Sequence, residues 1–109
     1  MAGDAGMRFW GGAAVIDFNR INSAALQNLP VLLTRWLPDG RREGTEWVAR
    51  NPRRDDRRAG SFKINMATGK WADFATDERG GDPISLAAFL AGTGQAEAAA
   101  SLAVMLGIE

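Results

Sequence analysis

"SFKINMATGKWADF", residues 61–74, alternates in polarity on both sides of a turn. Phe62 and Ile64 point one way and Ser61, Lys63 and Asn65 the other, which is the period-two signature of a strand. Met66-Ala67-Thr68-Gly69 makes the turn, with Gly69 placed for a positive φ. Beyond it Trp71 and Asp73 share one face, and Ala72 and Phe74 the other. Phe62 and Phe74 are enough to fill the buried face, so Trp71 is expected to be partly exposed. Upstream, "TEWVAR" (45–50) reads as a further strand around Trp47 and Val48. Residues 45–75 are therefore expected to form a small antiparallel sheet.

Downstream, "TDERGG" (76–81) reads as a polar loop. Asp82 is a good N-cap and Pro83 suits the first helical position. "PISLAAFLA" then runs as a helix with Ile84, Ala87, Ala88 and Leu90 or Ala91 inward. "GTG" (92–94) stops it. "QAEAAASLAVML" (95–106) is a second helix of high propensity, with Leu102, Met105 and Leu106 as its apolar end and Gly107 as its stop. On the other side of the sheet, residues 1–18 read as a flexible lead in which only Phe9 and Trp10 offer docking groups. A helix is expected from about Asn19 or Asn22, with Ile21, Ala25, Leu26 and Leu29 on one face. Pro30 interrupts it and starts "PVLLTRWL" (30–37), whose stripe is Leu32, Leu33, Trp36 and Leu37. Pro38-Asp39-Gly40 ends it as a turn. Helix, small sheet, two helices is an α+β order, with residues 19–109 as a single domain.

The chain of 109 residues has no Cys, no His and no Tyr. That excludes ordinary zinc sites and disulfides, together with Ser-His-Asp and Cys-His nucleophiles. No apolar run approaches the roughly 18 to 20 residues of a membrane helix. The N-terminal stretch, with Asp4 and only a short apolar piece, is a poor signal peptide, so a cytoplasmic location is expected. Net charge is zero, but it is unevenly spread. Residues 35–70 carry ten Lys/Arg and five Asp/Glu, whereas residues 71–109 carry one Arg and six acids.

Four groupings offer chemistry. "RNPRRDDRRAGSFK" (50–63) holds six cations and two acids beside an aromatic strand. Arginine at that density suits phosphate, and rings beside it suit stacked bases, which is the physics of single-stranded nucleic-acid binding. The ordinary alternative is a solvated loop whose Arg and Asp pair with each other. "ERGGDP" (78–83) puts two glycines before a helix N-terminus, either as an anion cradle or as a plain capped loop. Asp73, Asp77, Glu78 and Asp82 offer carboxylates for a hard cation, unless Asp82 merely caps and the others are solvated. Trp36, Trp47, Phe62, Trp71, Phe74 and Phe89 are spaced as core.

The order "NPRRDDRRAGSFKIN", "TGKW", "GGDPISL" resembles the N-terminal zinc-ribbon domain of bacterial DnaG-type primases over residues 45–91. In that family a Cys-Pro-x-His knuckle precedes a Pro-Ser-Phe strand. A Gly and an aromatic then lead to a Cys-x-x-Cys knuckle, and a Gly-Gly-Asp loop starts a helix. Here the resemblance places the ligand positions at Asn51, Arg54, Asp73 or Phe74, and Thr76 or Asp77. None is Cys or His, so a zinc-ribbon-like but metal-free fold with no cofactor is implied. Degenerate ribbons of this kind are similar to leading domains of primase-helicases of phages, plasmids and integrated elements.

The resemblance implies a DNA-replication role in touching single-stranded template (DNA, or RNA). Arg54, Lys63, Lys70 and Trp71 match family strands or knuckles; Arg50, Arg53, Arg57, Arg58 and Arg79 are candidates by proximity. With no Toprim cluster and no P-loop in these residues, this chain is not expected to be an enzyme by itself; a primase or helicase catalytic domain would lie elsewhere. The alternative is a protein-interaction module docking a helicase, polymerase or catalytic domain through its Ala-rich last helix. A carboxylate enzyme using Asp73 or Asp82 with Mg²⁺ is the third reading.

Overall fold

The computed structural model describes residues 16–53 and 60–108. Among them are α1 (Phe18–Gln27), α2 (Leu29–Trp36), β1 (Arg41–Glu43), β2 (Glu46–Ala49), β3 (Phe62–Asn65), β4 (Trp71–Asp73), β5 (Glu78–Gly80), α3 (Pro83–Ala91) and α4 (Gln95–Leu106). The five strands form one antiparallel sheet in sequence order, β1-β2-β3-β4-β5. The protein is α+β, as the element order predicts. Of the expected N-terminal lead, residues 1–15, with Phe9 and Trp10, lie outside the described residues. Ile16 already packs against the helical core. Asp17 caps α1 by accepting from the Arg20 N–H at 3.0 Å, so the helix starts at Phe18.

The sheet is wider than the sequence suggested. β1 and β5, with sequences Arg-Arg-Glu and Glu-Arg-Gly, have no apolar residue to betray a strand. They pair because turns deliver them: Gly44 has φ +62 between β1 and β2, and Asp77 has φ +64 just before β5. Asp is among the few residues that enter the left-handed region at modest cost. "TDERGG" is therefore a turn followed by an edge strand, not a loop.

Register decides which face is buried. Ile64 stands opposite Trp71 and Phe62 opposite Asp73. Directly opposed residues share a face, so Trp71 and Asp73 join Phe62 and Ile64 inside. Trp71 is only 6% exposed and Phe74 is 72% exposed. The alternation was legible, but the expected assignment of faces is reversed. Phe62, Trp71 and Phe89 meet as an aromatic group, with Trp71 and Phe89 centroids 4.7 Å apart.

The described helices pack on the inner face. Leu29, Leu33, Leu37 and Leu86 pack on Trp47, Ala49, Phe62, Ile64 and Trp71. A second core joins Ile21, Ala25, Leu32, Ile84, Ala88, Ala98, Ala99 and Leu102. α3 serves both cores, through Leu86 on one side and Ile84 and Ala88 on the other. This explains why it is apolar nearly all round. Of Leu90 and Ala91, Leu90 is the one that packs against the core and Ala91 is exposed; on α4 Met105 is exposed while Ala98, Ala99 and Leu102 are buried. No single helix among the described residues is long and apolar enough to cross a membrane; α3 and α4 are bent by 106° at the glycines between them.

The α3 start is tied three ways. Asp82 accepts from the Ser85 N–H at 2.8 Å, and the Asp82 N–H donates to Ser85 Oγ at 3.3 Å, a reciprocal capping box. Trp71 Nε1 donates to the same Ser85 Oγ at 3.0 Å. The Ile84 N–H, one of the orphan donors of a first helical turn, donates to Asn22 Oδ1 of α1 at 2.9 Å. Gly80 is required by this arrangement: a Cβ there would lie 2.3 Å from Ser85 Oγ and 2.3 Å from Trp71 Nε1, whereas Gly81 faces open space. Asp82→Ala should lower stability by about 1 kcal/mol, read as a lower urea midpoint with an unchanged m-value.

Candidate nucleic-acid interface

The ends of β2 and β4 are joined beneath the sheet. Asn51 and Asp73 are the two buried polar or charged residues of the described chain, at 1% and 0% exposure. Asn51 Nδ2 donates to Asp73 Oδ2 at 2.8 Å. The other oxygen of each side chain closes its own local turn: Asn51 Oδ1 accepts from the Arg53 N–H at 2.8 Å, and Asp73 Oδ1 from the Ala75 N–H at 2.9 Å. The Asp73 carbonyl also accepts from the Thr76 and Asp77 N–H groups. Two side-chain-closed turns thus meet at the Asn51–Asp73 hydrogen bond, and the second presents Phe74 outward.

Phe74 follows the last residue of β4 and lies on the outer face. Its N–H donates to the Ser61 carbonyl at 2.8 Å, which extends the β3–β4 pairing by one step. Beside it, Lys63 stands opposite Ala72, and Ala72 opposite Arg79, so one row crosses three strands. The row continues to Val48 and Arg41. Val48 is buried, so the open part of the face lies over β3, β4 and β5. Glu46, Lys63, Asn65, Lys70, Ala72 and Phe74, with the little of Trp71 that is exposed, line a shallow depression of about 200 Å³. Among the described residues, no ion pair or side-chain hydrogen bond engages Lys63, Lys70, Arg79 or Glu46.

The nine expected binding residues divide accordingly. Lys63, Lys70 and Arg79 share the outer face with Phe74. Trp71 does not: its ring is spent on the core and its N–H on Ser85, so its expected stacking role is corrected. Arg50 is exposed but forms an ion pair with Asp39. Arg53 lies on the helical side, its Nη1 2.7 Å from where a Cβ of Gly92 would stand at the end of α3. There the helix dipole favours a cation. Arg54, Arg57 and Arg58 lie outside the described residues. Two residues of this face escaped sequence reading. Phe74 was assigned to the wrong face, and Glu46 was passed over although the "TEWV" alternation sets it opposite Trp47.

The acids that offered carboxylates for a cation do not converge among the described residues, and Asp82 caps α3 as the ordinary reading had it. Asp73 is buried, and no group of three or more carboxylates fit to hold a metal is found among the described residues. Comparison of the chain with protein-family models, with curated proteins and with solved structures finds no match.

Two contrasts test this geometry. Trp71→Ala should cost about 3–5 kcal/mol, as for a large core aromatic, whereas Phe74→Ala should stay within about 0.5 kcal/mol, both read by denaturant titration. Asn51→Ala removes a donor from a buried carboxylate and should cost about 1–3 kcal/mol in the same assay.

Proposed function

We propose that this chain is a non-catalytic module that binds single-stranded DNA on the outer face of its sheet, within a primase-like replication protein. The observation that carries the reading is Phe74: a large ring 72% exposed beside three cationic side chains without partners among the described residues. An exposed ring gives up favourable burial unless something covers it. A base offers a flat apolar face, while Lys63, Lys70 and Arg79 suit its phosphates. Arg54, Arg57 and Arg58 join them in this reading on sequence alone.

The resemblance to primase ribbons supports the same reading. The resemblance places one ligand position at Asn51 and one at Asp73 or Phe74; on the Asp73 alignment, the Asn51–Asp73 hydrogen bond would do the joining that a metal does in that family. A cytoplasmic setting and a catalytic domain elsewhere belong to this proposal. A second reading, a protein-docking module, is favoured by a groove of about 480 Å³ on the helical side. Trp36, Leu90, Ala91, Ala98 and Met105 are among its lining residues.

Fluorescence anisotropy with a labelled single-stranded DNA at two or more salt concentrations tests the first reading. Affinity should fall with salt at a log–log slope of about −0.7 per phosphate neutralised. Phe74→Ala should lose about 1–3 kcal/mol of binding, with Trp71 and the fold intact. Salt-independent or absent binding, or an unaffected Phe74→Ala, would overturn it.

A further inference from the structure

A face built only to hold phosphates would have no use for a carboxylate, yet Glu46 lines the same depression as Lys63, Lys70 and Phe74. Glu46 is half-buried at the β2 position opposite Asn65. Its side chain has no partner among the described residues, although Lys63 and Lys70 line the same hollow. Asn65 spends its Oδ1 on the Ala67 and Thr68 N–H groups, at 2.8 and 3.0 Å. That leaves its Nδ2 as a donor. The depression therefore offers one carboxylate acceptor, three donors and one aromatic face. The depression is shallow and open to solvent, with a volume of about 200 Å³.

Resting on the single-strand reading above, we infer that this depression seats a guanine base. Guanine carries two adjacent donors, N1–H and N2–H, on its pairing edge, which suits a carboxylate that accepts two bonds. Its O6, next along the same edge, accepts from an ammonium such as that of Lys63. The other bases fit worse. Adenine sets the N1 lone pair beside its amino group, and cytosine sets N3 there, so each turns an acceptor toward Glu46. Thymine offers one N–H flanked by two carbonyls. Phe74 stacks the base whichever it is; Glu46 chooses among them.

The test uses short labelled oligothymidylates that carry a single central guanine, cytosine, adenine or no insert, titrated against the full chain by anisotropy. The guanine oligonucleotide should bind about tenfold tighter than the rest, the scale of one good bidentate base contact. Glu46→Gln should bring the four within about twofold of each other, while affinity for plain oligothymidylate rises because a repelling charge is gone. Equal wild-type affinity for all four overturns the guanine site and leaves the single-strand face standing. A guanine preference that survives Glu46→Gln overturns the role of Glu46. No binding to any of the four overturns both.

Discussion

A carboxylate sealed from water is the constraint on which the rest of this structure turns. Taking an ionised Asp out of water costs several kcal/mol unless hydrogen bonds replace those it loses. Asp73 is fully buried at the end of β4, and Asn51 and the Ala75 N–H supply two of its bonds. Satisfying it fixes where the chain leaves β2 and how it leaves β4. It also fixes the frame of β4: with Asp73 inward, Trp71 must be inward and Phe74 outward. The exposed ring on which the functional reading rests is thus a consequence of a buried polar contact on the opposite side of the sheet.

Trp71 carries that frame to the helices. Its indole fills the space under Gly80 and ends on the Ser85 hydroxyl, which also completes the α3 cap. One side chain therefore links the middle of the sheet to the start of the helix that serves both cores. The described helices lie on the inner face, and none of them covers the outer face over β3 to β5. The inner face carries the apolar packing, and the outer face over β3 to β5 carries Phe74 with Lys63, Lys70 and Arg79, which have no partner among the described residues.

Much of this was legible in the sequence, and the failures have physical causes. Pro30 and Pro83 as helix starts, Asp82 as cap, and Gly69, Gly92 and Gly107 as turn or stop residues all follow from local backbone chemistry, which tertiary context rarely overrides. The faces of β4 were harder. "WADF" alternates perfectly, but either face has one aromatic, and only a buried partner for Asp73, 22 residues upstream, settles the choice. β1 and β5 were invisible for a related reason: three polar residues acquire strand geometry only from the neighbours they pair with. Arg53 looked like its neighbours in the basic loop, yet lies on the helical side. The exposed site was thus half legible, its cations Lys63, Lys70 and Arg79 named and its aromatic misplaced.

The strand order holds a consequence for how the chain reaches this state. Each strand pairs with its neighbour in sequence, so the sheet closes through successive hairpins, and the entropy lost in each closure is small. The Asn22–Ile84 bond, by contrast, spans 62 positions and brings the first helix to the third. The sheet can therefore zip locally at little cost, while docking α1 against α3 is the step that must gather distant parts of the chain. In topological terms the sheet is the local part of this fold, and the seat of α1 against α3 its non-local part.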